Sequence, residues 1–208
     1  PLAIALPATV EEVQAVVRWA HANNVAVVPS GGRTGLSGGA VAADGELVLS
    51  LERMNRALDF NAVDRLLTVQ AGMALEAVHN AAREHGLQYP VDFAARGSCS
   101  IGGNIATNAG GIRVIRYGNT REWIAGMKVV TGTGELLDLN RGLVKNSSGY
   151  DLRHLMIASE GTLGIVVEAT LRLTDPPPAS NVMLLALPSF EVLMQVFAAF
   201  RERLQLEA

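Results

Sequence analysis

Residues 29–39 read PSGGRTGLSGG, and residues 97–111 read GSCSIGGNIATNAGG. These two segments make up 26 of the 208 positions but hold 10 of the 21 glycines, whereas even spreading would place about 2.6 glycines there. Because glycine costs roughly 0.5–1 kcal/mol in regular structure, such clusters usually serve backbone geometry. They either form turns between strands or bring bare backbone close to a ligand.

The first segment is a candidate anion site. It directly follows residues 25–28, a short apolar run that predicts a strand buried on both faces. Sheets of that kind present the loops after their strands to ligands. Arg33 and Thr34 supply charged and hydroxyl donors suited to phosphate oxygens. We favour a ligand over simple turns at this segment, although turns remain the alternative.

The second segment is polar but uncharged, which suits the hydrogen-bonding edge of a planar ring better than a phosphate. The two segments therefore suggest one long ligand with a diphosphate at one end and a heterocycle at the other. Neither segment has the Gly-x-Gly-x-x-Gly spacing of an NAD site. Lys128 and Lys145 are the only lysines, and neither follows a glycine, which excludes a P-loop nucleotidase.

Composition excludes several other classes of protein. A net charge of -3 with 5% aromatic residues is unlike a nucleic-acid binder, and no apolar run approaches the roughly 18 residues of a membrane-spanning helix. Cys99 alone cannot form a disulfide within the chain, and the four histidines show no metal-ligand spacing. Residues 35–39 match the Gly-x-Ser-x-Gly nucleophile elbow, but loop-like residues precede the serine where a strand is required.

Local patterns predict alternating helices and strands. Thr9 and Glu12 form a capping box at the start of a first helix. Apolar periodicity predicts further strands at residues 46–50, 57–60, 66–70 and 165–173, a hairpin over 125–138, and helices over 75–85 and 152–157. Three prolines at 176–178 mark a boundary, after which we expect a strand at 182–187 and a helix beginning at Ser189.

The glycine-rich segments resemble known motifs of flavoproteins. Residues 29–39 resemble the Pro-x-Gly-Gly-x-Thr-Gly-x-x-Gly-Gly diphosphate loop of FAD-linked oxidases of the vanillyl-alcohol oxidase type. Residues 97–111, followed by Arg-Tyr-Gly at 116–118, resemble the flavin-ring segment of the D-2-hydroxy-acid dehydrogenases. Residues 149–152 and 159–165 complete that pattern, which is most similar to the members that act on 2-hydroxyglutarate, lactate or glycolate.

The resemblance implies an α+β FAD-binding domain over residues 1–175, with subdomains of about 1–56 and 57–175 and the flavin between them. Residues 176–180 would then be a proline-rich linker, and residues 181–208 the truncated start of a substrate-binding cap domain. The chain begins at Pro1 without an initiator methionine. We therefore expect it to be part of a longer protein.

The family's cofactor contacts can be carried over to this chain by position. The diphosphate would lie against Gly31, Gly32, Arg33, Thr34, Gly35 and Gly38. The ribityl chain and isoalloxazine would lie against Gly97, Ser98, Gly102, Gly103, Asn104, Thr107 and Asn108, and the adenosine side against Glu160, Gly161, Gly164 and Ile165. The family places its catalytic groups and any metal ligands in the cap domain, so we expect none of them in this chain.

The implied activity is oxidation of a D-2-hydroxy acid to a 2-oxo acid by hydride transfer to flavin N5, with an electron-transfer flavoprotein or a quinone as acceptor. This part alone would bind FAD weakly or partially and would be inactive. A non-catalytic flavin-binding subunit of a dehydrogenase complex is the alternative. We further expect no nucleic-acid partner, no transmembrane segment, and a cytoplasmic location with or without peripheral attachment to a membrane.

The resemblance also leads us to expect non-covalent FAD. Some relatives attach the flavin through a histidine in the first loop, but residues 29–39 contain no histidine. Others use a cysteine near position 99, but the spacing from Cys99 to the following glycines is short. After acid precipitation, the flavin absorbance should therefore appear in the supernatant. A protein pellet that stays yellow would contradict this prediction.

Overall fold

A computed structural model describes residues 1–140, 142–143, 145–178, 181–204 and 206. In chain order, the strands are β1 Ala3–Ala5, β2 Val27–Ser30, β3 Leu47–Ser50, β4 Ala57–Asn61, β5 Leu66–Gln70, β6 Ile124–Val130, β7 Leu136–Leu139 and β8 Ile165–Arg172. The helices are α1 Val10–Ala22, α2 Leu75–Glu84, α3 Ile101–Ala106, α4 Val114–Tyr117, α5 Leu152–Met156 and α6 Phe190–Arg203, with a 3-10 turn at Thr120–Trp123. The mixture of helices and two separate sheets is α+β.

The first sheet has three parallel strands in the order β1-β3-β2. Leu47 of the central strand pairs with Ala3 on one side and Val27 on the other. The expectation that residues 25–28 form a strand buried on both faces is wrong, because β2 lies at a sheet edge and is mostly half-buried. The strand with neighbours on both sides is β3, because the short β1 pairs with one of its edges and β2 with the other.

Helix α1 begins where the capping box predicts. The Thr9 hydroxyl accepts a hydrogen bond from the Glu12 N–H at 3.2 Å. The Glu12 carboxylate in turn accepts from the N–H of Ala8, the residue before the N-cap, at 2.6 Å, which holds the preceding chain against the first turn of the helix. Val13 and Val17 are buried on one face of the helix, as their spacing predicts.

The second sheet is antiparallel, in the order β4-β5-β8-β6-β7. The predicted strands at 57–60, 66–70 and 165–173 and the predicted hairpin are confirmed as β4, β5, β8 and the β6–β7 pair. The interior strands β5, β6 and β8 each contribute fully buried residues, including Val69, Val129 and Leu171. The main core of the molecule therefore packs on this sheet.

Helix α1 connects β1 to β2 of the first sheet and also contacts the second sheet. The side chains of Gln14 and Arg18 both donate to the carbonyl of Gly134, at 2.8 and 3.0 Å, in the turn between β6 and β7. Gly134 has a φ of +81°, and a β-carbon there would lie 2.4 Å from the Arg18 side chain. The turn needs glycine both for its backbone conformation and for this close approach.

Helix α3 forms inside the second glycine-rich segment, which local propensity does not predict. Its N-cap is Ser100, whose hydroxyl accepts from the Gly103 N–H at 3.4 Å. Ile101 and Ile105 are fully buried, and a β-carbon on Gly102 would approach the Ala71 side chain to 2.9 Å. Tertiary packing on two isoleucines therefore stabilises a helix that two glycines weaken.

Beyond the prolines, one prediction fails and one is confirmed. Residues 182–187 form no strand and pair with none of the strands that the structure describes, and Val182 is fully exposed. Helix α6 begins after Ser189, whose hydroxyl accepts from the Val192 N–H. Ala179 and Ser180 of the expected linker, and Gln205, Glu207 and Ala208 of the expected cap, lie outside the described residues.

A mostly buried guanidinium attaches α5 to the second sheet. Arg153 donates to the carbonyl oxygens of Ile124 and Ala125, both at 2.8 Å. It also pairs with both oxygens of Asp151, at 2.9 and 2.6 Å. This bidentate hydrogen bond holds the pKa of Asp151 below its usual value. Because α5 leads directly into residues 157–164, the pair also positions that segment.

We expect Asp151→Asn to destabilise the fold in a pH-dependent way. Asparagine keeps a capping oxygen for the Arg153 N–H but removes the charge. The folded pKa of Asp151 is lowered, so the carboxylate contributes its stability above pH 3.8 and loses it as the pH falls through the lower folded value. Urea unfolding should show a deficit at neutral pH that shrinks toward pH 3.

Asp175→Asn is the matched control, because Asp175 pairs with Arg65 at 2.7 Å in an exposed ion pair. Such pairs are worth about 0–1 kcal/mol. An Asp151→Asn deficit that is equal at neutral and acid pH would show that the charge of the Asp151–Arg153 pair does not contribute.

Candidate functional site

A cavity of about 300 Å³ lies between the two glycine-rich segments. We call it the central cavity. Its lining comes from three parts of the chain: residues 29–40 and 51, residues 93–109, and residues 156–166. The first part follows β2, the second contains α3, and the third connects α5 to β8. The cavity therefore lies where the loops of the first sheet meet elements of the second.

The two glycine-rich segments touch each other directly. A β-carbon on Gly32 would lie 2.0 Å from the Ser98 carbonyl oxygen and 2.6 Å from the Cys99 α-carbon. A β-carbon on Gly31 would lie 2.2 Å from the Ser100 hydroxyl. These two glycines therefore allow one segment to pack against the other. Gly35, by contrast, has nothing within 4 Å of its β-carbon position and faces open space.

The structure brings 13 of the 17 expected cofactor contacts to this cavity. The lining residues are Gly31, Gly32, Arg33, Thr34, Gly35, Gly102, Gly103, Asn104, Thr107, Glu160, Gly161, Gly164 and Ile165. Pro29 and Val166, the first and last lining residues in the sequence, are 137 positions apart, so the fold gathers distant parts of the chain around one space. Whether each residue contacts a cofactor stays a prediction.

Four expected contacts lie outside the lining. Gly38 has a φ of +82° and faces open space, and Gly97 packs near the Glu76 carboxylate. Ser98 presents its carbonyl to Gly32. The Asn108 side chain accepts a hydrogen bond from the Arg121 N–H at 2.9 Å. Gly97, Ser98 and Asn108 therefore already have structural roles, and the expected cofactor contacts of all four stay predictions.

Several lining residues were not among the cofactor contacts expected from the sequence. They are Ser30, Ser37, Gly39, Ala40, Leu51, Phe93, Ala95, Cys99, Ser100, Ala106, Ala109, Met156, Ser159 and Val166, together with Pro29. Those within the glycine-rich segments could have been named from the segments alone. Phe93 and Met156 carry no local signal, because only the tertiary fold brings them to the cavity.

The third wall is a strained turn. Glu160 and Gly161 have φ values of +53° and +77°, and the Glu160 N–H donates to the carbonyl of Ala106 at the end of α3 at 2.8 Å. The Glu160 carboxylate lies 3.5 Å from the β-carbon position of Gly39. This turn therefore connects α3 on one side with the first glycine-rich segment on the other.

The charges at the cavity are few. Arg33 and Glu160 line the cavity, and both are exposed. Cys99 also lines the cavity but is buried, and burial raises the pKa of its thiol. The thiol is therefore protonated at neutral pH and is a poor nucleophile. Ionic attraction at this site comes from Arg33, while the walls offer backbone groups and neutral side chains.

Unsatisfied polar atoms in the walls indicate what the cavity is suited to hold. Across the described ranges, the buried side-chain atoms without a hydrogen-bond partner are Ser30 Oγ, Tyr89 Oη and Asn104 Nδ2. Ser30 and Asn104 line the cavity from its two glycine-rich walls. The Asn104 side chain favours the thiolate form of Cys99 over the thiol. Because the thiol is protonated and is only a weak hydrogen-bond acceptor, the Asn104 amide remains unsatisfied. Buried polar groups normally have partners, so these walls fit a ligand rich in hydrogen-bonding atoms.

A second cavity of about 460 Å³ adjoins the first. It shares Pro29, Gly161, Gly164 and Ile165 with the central cavity and extends to the C-terminal end of α1. Within the described part of the chain, no group of three or more metal-ligating side chains could hold a metal ion. The described helices also include none that is long and apolar enough to cross a membrane.

Comparison with known proteins identifies similar sequences among FAD-binding domains and 2-hydroxy-acid dehydrogenases. The family model for the FAD binding domain matches residues 1–140. D-2-hydroxyglutarate dehydrogenases of Xanthomonas citri pv. viticola and Stutzerimonas stutzeri are 88% and 57% identical over the whole chain, which covers 44% and 45% of those proteins. D-lactate dehydrogenase of Anaerostipes hadrus is 45% identical over 175 residues, which are 84% of this chain and 36% of that protein.

Among solved structures, alkyldihydroxyacetonephosphate synthase superposes with a TM-score of 0.76 at 28% identity, over 85% of this chain and 32% of that one. The chain spans less than half the length of the curated relatives it matches. The expected α+β fold of the vanillyl-alcohol oxidase type is confirmed. FAD is the cofactor that this family binds, and the chain belongs to the FAD binding domain family.

Proposed function

We propose that this chain is the FAD-binding part of a flavin-dependent D-2-hydroxy-acid dehydrogenase. The observation that carries the proposal is the central cavity, whose two glycine-rich walls pack together through Gly32 and leave Ser30 and Asn104 unsatisfied. The substrate of the longer protein is a D-2-hydroxy acid. Two relatives named D-2-hydroxyglutarate dehydrogenase match this chain over its full length, whereas the D-lactate dehydrogenase matches it over 175 residues. This difference favours 2-hydroxyglutarate over lactate or glycolate as the substrate.

The residues of this chain bind and orient the cofactor. Backbone N–H groups of residues 31–35, with Arg33 and Thr34, hold the diphosphate. The Asn104 amide donates to an acceptor on the flavin ring, and residues 160–165 hold the adenosine side. Leu51, Phe93, Met156 and Val166 line the cavity with apolar surface and keep water away from the ring.

The bound FAD supplies a two-electron acceptor for the hydride of the substrate. Non-covalent attachment is supported by the buried, protonated Cys99 and by the absence of histidine from residues 29–39. We further propose an electron-transfer flavoprotein or a quinone as the onward acceptor, and a cytoplasmic location.

The domain organisation belongs to the same proposal. We place subdomains at about 1–56 and 57–175, a linker at 176–180 and the start of a cap domain at 181–208. The first sheet ends at Ser50 and the second begins at Ala57, which supports the division between subdomains. Beyond the linker, Val182, Leu184 and Phe190 expose large apolar side chains, as expected of a unit whose packing partners lie elsewhere.

The direct test is to mix the purified chain with FAD, remove free ligand by desalting, and record the visible spectrum. The proposal predicts that flavin bands are retained, at one FAD per chain or less because this part alone binds FAD weakly. Loss of all flavin would contradict it. A second assay separates the dehydrogenase from a non-catalytic flavin-binding subunit: a protein of the relatives' full length should reduce a dye acceptor with D-2-hydroxyglutarate, whereas a non-catalytic subunit should bind FAD without turnover.

Two glycine substitutions in the first segment should have different effects. In Gly35→Ala, the new methyl group enters open space at an ordinary φ, so thermal stability should stay near that of the wild type. The same methyl group occupies space proposed for the diphosphate, so FAD affinity should fall about tenfold or more. In Gly32→Ala, the methyl group meets the Ser98 carbonyl at 2.0 Å, so both stability and FAD affinity should fall.

Differential scanning fluorimetry and calorimetric titration with FAD measure the two effects separately. Gly35→Ala with wild-type affinity for FAD would show that the first segment does not contact the cofactor. Gly32→Ala with unchanged stability would show that Gly32 is not packed against the Ser98 carbonyl.

A further inference from the structure

Ser30 is the last residue of β2 and directly precedes the first pair of glycines. It is 1% exposed. Its backbone carbonyl accepts from the Leu51 N–H at 3.1 Å. Its hydroxyl, in contrast, finds no hydrogen-bond partner among the residues that the structure describes. The motif of the first segment leaves this position open, so the resemblance assigns Ser30 no role.

The neighbouring strand provides a close comparison. Ser50 ends β3, pairs with Ser30 in the sheet register, and is equally buried at 1% exposed. The Ser50 hydroxyl accepts from the Glu52 N–H at 3.5 Å. Of these two paired serines, Ser30 alone lines the central cavity and lacks a hydrogen-bond partner within the described chain. Burial and strand position therefore do not explain the unsatisfied hydroxyl.

A buried hydroxyl without a partner is unfavourable, and removing such a group can be neutral or stabilising. A ligand in the central cavity can provide the missing partner, since a serine hydroxyl changes its direction by rotation about a single bond. Ser30 directly precedes the segment that contains Arg33 and Gly35. The β-carbon position of Gly35 faces open space, and the Arg33 guanidinium suits phosphate oxygens. Phosphate oxygens accept hydrogen bonds, and the Ser30 hydroxyl can donate one.

We infer that Ser30 is a further binding residue of the FAD site and that its hydroxyl donates a hydrogen bond to a diphosphate oxygen. This inference rests on the proposed function. The inference adds Ser30, at the end of β2, to the residues of the first glycine-rich segment that are proposed to bind the diphosphate. Ser30 binds the cofactor and takes no part in the transfer of hydride.

The test compares Ser30→Ala, Ser50→Ala and Tyr89→Phe in the 208-residue chain. Calorimetric titration gives the dissociation constants for FAD and for ADP, which shares the diphosphate but lacks the flavin. Ser30→Ala should weaken binding of both ligands about five- to tenfold, as expected for one lost hydrogen bond. The melting temperature of its ligand-free form should equal or exceed that of the wild type.

Ser50→Ala is the matched control, because it removes a satisfied hydroxyl from the adjacent strand. It should lower the melting temperature and leave both dissociation constants unchanged. Tyr89→Phe removes the third unsatisfied group, which is not part of the lining, and should also leave both constants unchanged. Together these variants separate ligand contact from a general effect of removing buried hydroxyls.

Wild-type affinity of Ser30→Ala for FAD would overturn the inference while leaving the proposed function intact. A lower melting temperature of ligand-free Ser30→Ala would also overturn it, since the hydroxyl would then have a partner within the protein. Weaker binding of FAD with unchanged binding of ADP would overturn the contact to the diphosphate. A wild-type chain that binds neither ligand would overturn the proposed function itself, and this inference with it.

Discussion

The contact between Gly32 and the Ser98–Cys99 backbone is the constraint on which the site depends. A β-carbon at Gly32 would lie 2.0 Å from a backbone oxygen, and a backbone oxygen cannot swing aside as a flexible side chain can. The contact joins the loop after β2 to the segment that starts α3. The first segment follows a strand of the first sheet, and α3 packs on β8 of the second sheet, so this close approach brings the two sheets together. The central cavity lies beside this contact.

Other close contacts hold the remaining walls in position. A β-carbon on Gly102 would approach Ala71, and one on Gly164 would lie 2.6 Å from Val129. The first contact sets α3 against the end of β5, and the second sets the third wall against β6. Arg153 anchors the start of that wall to the carbonyls of Ile124 and Ala125. Glycines and one guanidinium thus hold the walls, while Ser30 and Asn104 keep unsatisfied polar atoms.

Features governed by local pattern were predictable, and those governed by tertiary packing were not. The capping box of α1, the strand at 66–70 and the glycine-rich segments were visible in the sequence because each depends on residues close together in the chain. Helix α3 was not predictable in this way, because the burial of its two isoleucines outweighs the low helix propensity of its glycines. The edge position of β2 depends on β1, and residues 182–187 lack a partner strand within the described chain. Phe93 and Met156 reach the cavity only through the fold.

Hydrogen–deuterium exchange with and without FAD can show whether one cofactor contacts both glycine-rich segments, because it reports both walls of the cavity in one experiment. We expect FAD to slow amide exchange in residues 31–40 and in residues 99–107 together, with little change in the β4–β5 turn at residues 61–66, none of which lines the cavity. Protection of only one glycine-rich segment, or of neither, would contradict a single cofactor held between the two.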